Sequence, residues 1–213
     1  MLLGSGFTAI LQRFVDAAKM PIWVELFCGT AGFCMATNAL NQPCLGVDSA
    51  ILGQDEDFVV HCDLTCMLIV EALLHAIIVM QWIAGAGSGN PCGTYSPARR
   101  GRKNPGKGGL PRKLRSKAEA WGLTVNDFTP QEQKTLLTAN LCTTTSIKVL
   151  EALCRQGKKG WLENPKPSYL WGTPELIVMA NEFGGKFMDL SQCMFGALCP
   201  KCSWIQAHLS LKL

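Results

Sequence analysis

Apolar residues recur along this chain in two rhythms. Short unbroken runs, IWVELF (22–27), CLGVDS (44–49), FVVHCD (58–63) and IIVMQWIA (77–84), alternate with stretches whose apolar positions return every three or four residues. The first rhythm predicts buried strands and the second predicts helices. Helices are expected at 6–19, where Phe7, Ile10, Leu11, Phe14 and Val15 share a face, and again at 32–42, 64–76 and from 130 onward to Gly157. Beyond them GWLENP (160–165) reads as a strand, TPELIVMANEFG (173–184) as a helix with Thr173 placed to cap it, and KFMDLSQC and SWIQAHL as two further strands. Strands that alternate with helices build a mostly parallel sheet covered on both faces.

Patterning fails between 85 and 129, a segment rich in Gly, Pro and basic residues. A loop of that length inside a compact domain is usually functional, and its GAGSG entry is expected to be mobile. The apolar stretch 66–87 approaches the length of a bilayer span, but Glu71 and His75 sit within it, where ionisable groups are costly. It is read as a helix followed by a strand, with no membrane contact. The 213 residues are expected to form a single domain over 1–213, with 48% apolar content to fill one core.

Charge changes the picture more than composition does. Residues 99–117 carry nine of the 20 Lys and Arg and no Asp or Glu, although the chain as a whole is only +4. Such a block is an electrostatic footprint for a polyanion, nucleic acid above all, with a plain solvated loop as the alternative. Ser96, Arg99, Arg100, Arg102, Lys103, Arg112, Lys113 and Arg115, with Lys201 further on, are the candidate contacts. The 11 cysteines are odd in number and scattered, no glycosylation motif accompanies them, and the N-terminus lacks the pattern of a secretory leader. They read as reduced thiols of an intracellular protein, nuclear or cytoplasmic.

Candidate chemistry gathers at strand ends. In an open parallel sheet the carboxyl ends of the strands share one edge, where ligands bind. Here that edge collects FCGTAG, Asp48, Asp63, the Pro91–Cys92 pair and Glu163–Asn164. Gly29 and Gly32 allow backbone to approach a ligand closely, and Asp48 is placed for a ribose hydroxyl pair, which together suit a nucleoside cofactor. Only G-x-x-G is present, so a dinucleotide is the weaker choice. Asp63 either accepts from an adenine amino group or caps the next helix.

Taken in order, ELFCGTAGF, Asp48, Asp63, NPCGTYS and LENP resemble the motifs of the cytosine-C5 DNA methyltransferases, and PSYLW and CMFGALCPKCSW are similar to tail elements of compact relatives. The resemblance spans about residues 22–205. It implies a Rossmann-like S-adenosylmethionine-dependent methyltransferase fold, α/β with a mostly parallel sheet and helices on both faces. The cofactor would be S-adenosyl-L-methionine, held by Glu25, Phe27, Cys28, Gly29, Thr30, Ala31, Gly32, Phe33, Asp48, Asp63 and Pro91. It also implies that Cys92 adds to C6 of cytosine, that Glu163 bonds N3 and the exocyclic amine, and that Asn164 positions Glu163 or the Pro91 loop. DNA is the implied partner. The family usually reads Pro-Pro-Cys where this chain has Asn90, and no segment is left for a separate target-recognition domain.

Other readings stay open. Asn90–Pro91 also resembles the amino-methyltransferases, in which Asn or Asp followed by prolines and an aromatic residue grips an exocyclic amine. A nucleic-acid-binding module that keeps the fold without turnover would need the basic loop alone. A phosphatase loop would require arginine where Ala98 stands, and CPKC (199–202) by itself is weak grounds for zinc.

Overall fold

In a computed structural model, the structure describes residues 4–49, 57–99, 111–124, 127–191 and 202–208, those from 190 onward by backbone alone. Seven strands form one sheet: β1 Ile22–Leu26, β2 Cys44–Asp48, β3 Val59–His61, β4 Ile83–Ser88, β5 Lys159–Pro165, β6 Lys186–Ser191 and β7 Cys202–His208. Their order is β3-β2-β1-β4-β5-β7-β6. The first five are mutually parallel, and β7 runs antiparallel between β5 and β6. Among the described residues five α-helices accompany them: α1 Gly4–Ala18, α2 Gly32–Ala39, α3 Met67–Ile78, α4 Pro130–Arg155 and α5 Pro174–Phe183. This is the mostly parallel α/β sheet that the alternation of patterns predicts, in the Rossmann-like order that the resemblance implies.

The two faces are covered unequally. In β1, Ile22, Val24 and Leu26 join Phe7 and Leu11 of α1, Ile69, Leu73 and Ile77 of α3 and Val149, Leu150 and Leu153 of α4 in one large core. The alternate residue Trp23 faces a smaller cluster under α2, built on Cys28, Ala31, Cys34 and Cys44. Period-two alternation along a five-residue strand thus assigns each residue its layer.

IIVMQWIA is not a strand: Ile77 and Ile78 finish α3, Val79 and Met80 are exposed in the turn, and the strand is Ile83–Ser88. The GAGSG entry is therefore not mobile but four-fifths strand, hydrogen-bonded on both sides to β1 and β5. Its glycines make room for indoles. A Cβ on Gly85 would meet the Trp23 ring and one on Gly87 the Trp161 ring, in both cases well inside van der Waals contact.

Thr173 does stand at the N-cap of α5, but its hydroxyl donates to the Leu170 carbonyl at 2.8 Å and no helix amide is capped by it. The capping box belongs to α4. Thr129 Oγ1 accepts from Glu132 N at 3.2 Å while Glu132 Oε2 accepts from Thr129 N at 2.8 Å, and Pro130 opens the first turn. No helix among the described residues is long and apolar enough to cross a membrane.

Candidate active site

Strand order reverses between β1 and β4, so the crevice at their carboxyl ends is the place for a ligand. The chain leaves β1 through a turn in which Phe27, Gly29 and Ala31 all adopt left-handed backbone, at φ 55, 52 and 54°. Two of these are not glycine, a local strain of about 1 kcal/mol each that concentrates at functional turns. Gly29 N donates to Asp48 Oδ2 at 2.8 Å, and a Cβ on Gly29 would meet nothing within 4 Å, so this turn presents open backbone to the crevice. Beneath it Glu25 is buried and its Oε2 accepts from Cys34 N at 3.0 Å, anchoring the first turn of α2. Burial pushes the Glu25 carboxyl above the usual carboxylate range, against the pull of that amide.

A cavity of about 360 Å³ opens at this turn, with Phe27, Gly29, Asp48, Asp63, Gly89 and Pro91 among its walls. These include five of the residues expected to hold a cofactor. Glu25 and Ala31 instead support the turn from below, as does Cys28, whose sulfur packs against Gly46. Thr30, Gly32 and Phe33 lie off the cavity, and Phe33 packs edge-on against Trp161 at 4.9 Å between centroids. Asp63 lines the cavity but does not cap α3 as one of its two expected roles required: its Oδ1 accepts from Thr65 N and Oγ1 in a turn just ahead of that helix, whose N-cap is Cys66.

Cys92 hangs between two anchors. On one side Asn90 is buried, its Nδ2 donating to Thr143 Oγ1 at 3.0 Å and its Oδ1 accepting from Ser146 Oγ at 3.3 Å. Ser146 Oγ in turn shares a hydrogen bond with Ser88 Oγ at 2.8 Å. On the other side Tyr95 is fully buried, its hydroxyl 2.8 Å from the same Thr143 Oγ1. The Cys92 carbonyl accepts from Tyr95 N and Ser96 N at 3.0 and 3.1 Å, closing a turn that leaves the Cys92 side chain half-buried. Burial pushes the thiols of Cys28 and Cys62 up to about 12 and those of Cys142 and Cys154 up to about 11.

The Glu163–Asn164 pair reaches the same edge from β5. Ser88 and Leu162 are register partners, so Glu163 and Asn164 continue level with Gly89 and Asn90. Asn164 Nδ2 donates to the Asn90 carbonyl at 2.8 Å, which ties this strand end directly to the Pro-Cys loop. Glu163 points to the opposite face from Asn164, the face of Trp161, and is half-buried.

Of the expected nucleic-acid contacts, Arg115 is contradicted. It is 0% exposed, stacked on the Tyr95 ring at 3.7 Å, with Nε donating to Thr94 Oγ1 and Nη1 to the Ala120 carbonyl. It buttresses the Cys92 loop from behind instead of meeting a phosphate backbone at the surface. Arg112 is paired with Asp127 at 2.6 Å and lies over Phe128, while Lys113 is exposed above Tyr169. Ser96 Oγ accepts from Ala98 N at 3.2 Å, and Arg99 is half-buried beside it. Arg100, Arg102, Lys103 and Lys201 lie outside the described residues, as do Cys193 and Cys199. No group of potential metal ligands occurs among the described residues.

Sequence reasoning missed the hydroxyls that organise the loop, Ser88, Thr143 and Ser146. On α4 the run CTTTS looks like ordinary polar surface, and only its position one turn above the buried Leu150 and Leu153 marks it as interior.

No protein-family model matches the chain, and no curated protein matches it. Among solved structures it is similar to the crystal structure of a SAM-dependent methyltransferase from Archaeoglobus fulgidus, at 11% identity and a TM-score of 0.39, over 94% of this chain and 92% of that one.

Proposed function

We propose that this protein is an S-adenosylmethionine-dependent methyltransferase acting on C5 of cytosine in nucleic acid, DNA first among the candidates, with Cys92 as the nucleophile. The observation that carries the reading is the Asn164–Asn90 hydrogen bond, which holds the Cys92 loop and the Glu163 strand end in one fixed relation beside the Asp48 cavity. The open space beside Gly29, two strand-end carboxylates and a cavity at the sheet's switch point suit a nucleoside cofactor. When bound there, S-adenosylmethionine would supply an electrophilic methyl group.

The residues divide the chemistry as follows. The Cys92 thiolate adds to C6, forming a carbon–sulfur bond while the C5–C6 π pair moves toward C5. Glu163 hydrogen-bonds N3 and the exocyclic amine, so that negative charge does not build up on the ring. After C5 has gained the methyl, water takes the C5 proton, the double bond returns and the Cys92 thiolate leaves. A base in a duplex must first be flipped out, at a cost of a few kcal/mol.

The amino-methyltransferase alternative needs the Asn90 amide to grip an exocyclic amine. Both ends of that amide are occupied inside the protein, by Thr143 and Ser146, and Asn90 is 3% exposed. That favours the C5 reading.

Trapping tests it. The protein is incubated with S-adenosylmethionine and an oligonucleotide containing 5-fluorocytosine, whose fluorine cannot leave as the proton does. A covalent protein–nucleic acid adduct is expected, with the linked peptide containing Cys92, and none with Cys92→Ser. Cofactor binding with no adduct on DNA or RNA would overturn the reading, and methylation of an exocyclic amine that survives Cys92→Ser would replace it with the amino-methyltransferase.

A further inference from the structure

A second cavity, about 690 Å³, opens between the loop after Pro91 and the first half of α4. It meets the Asp48 cavity at Pro91, Thr138 and Cys142, but neither Cys92 nor Glu163 lies on its wall. The cofactor and the nucleophile as placed above do not themselves occupy it. Among the described residues its charged lining consists of Arg99 and Lys134, with no carboxylate.

The electrostatics of this wall are uncompensated. Arg99 Nη1 is buried without a hydrogen-bond acceptor. Behind Thr94, which lines the cavity, Arg115 is fully buried and its Nη2 also lacks an acceptor. The remaining contacts of the Arg115 guanidinium are neutral: a hydroxyl, a carbonyl and the Tyr95 ring. Burial, with Arg99 as an opposing neighbour, lowers Arg115 to about 10, which still leaves it protonated at neutral pH. Two guanidinium groups with buried, unsatisfied N–H bonds and no facing acid among the described residues are costly unless an anion arrives.

We infer that this cavity binds a phosphate-bearing nucleotide unit, with Arg99 and Lys134 taking the phosphate and the apolar wall of Pro91, Ala98 and Ala139 taking the sugar and base. The volume is in the range that holds a small organic molecule and exceeds what an inorganic ion needs. The planar guanidinium of Arg99 matches phosphate geometry, and the positive field of Arg115 behind it favours a dianion over a monoanion. The nucleotide is either free or one unit of a bound strand.

Equilibrium binding, measured without S-adenosylmethionine, separates these sources and is independent of the cysteine chemistry. The probes are uridine 5′-monophosphate, uridine and a short single-stranded oligonucleotide, each titrated into the wild type, Arg99→Gln and Lys134→Glu. Lys134 is exposed on α4, so its variant retains the fold whatever Arg99→Gln does. The monophosphate is expected to bind, and both variants to weaken it about tenfold or more. Arg99-dependent binding of the oligonucleotide without binding of the monophosphate also supports the site, and identifies the strand as the source. Uridine binding as tightly as its monophosphate, variants that bind like the wild type, or no binding of any probe would each overturn the inference.

Discussion

Thr143 is the residue on which the site converges. Its Oγ1 accepts from Asn90 Nδ2, meets the Tyr95 hydroxyl at 2.8 Å and donates to the Ala139 carbonyl, so one buried hydroxyl links both anchors of the Cys92 loop to α4. Thr143→Val keeps the shape and strands two buried polar partners. That costs about 1–3 kcal/mol. The expected outcome is a lower melting temperature together with a slower rate of adduct formation on 5-fluorocytosine oligonucleotide, with cofactor affinity unchanged; an unaltered trapping rate would mean that the network holds the fold and not the nucleophile. This convergence could not be read in the sequence, because a threonine among CTTTS carries no mark of its partners, which lie 48 and 53 positions away. The acids were easier: Asp48 and Asp63 each close an apolar run, and the end of a run is a local signal.

Among the elements, β4 is where pattern and structure part. The apolar run IIVMQWIA divided between the last turn of α3, an exposed corner and the first two residues of β4, whereas the glycine-rich tail makes up the rest of that central strand. The reason is non-local. Trp23 of β1 and Trp161 of β5 lie across the glycines of the strand between them, and small size at 85 and 87 is legible only once those neighbours are known. Gly87→Ala is expected to destabilise the protein by about 1–3 kcal/mol through overpacking, measured by urea unfolding. Adding Trp161→Val to it should recover part of the loss, because the two sites touch and their effects are not additive.

At the scale of the molecule, the unequal coverage of the sheet gives stability a pH dependence. Glu25 sits between β1 and α2 with its folded carboxyl raised, chiefly by burial. A raised acid holds its proton more tightly folded than unfolded. Its contribution is therefore complete below the ordinary carboxylate range and is lost as pH climbs through the raised folded value. Glu25→Gln is expected to gain stability relative to the wild type across that climb, seen as converging and then crossing urea midpoints; parallel midpoints at all pH values would contradict it. The sheet order has another outcome, in the chronology of synthesis. β7 pairs with β5 on one side and β6 on the other, although both precede it in the chain. Until residues 202–208 leave the ribosome, the β5 edge that carries Glu163 has one open flank, a template for pairing with other nascent chains. The strand that bears half of the proposed catalytic pair is thus sealed last, and a chain arrested before 202 would be sticky at the place where a finished one is reactive.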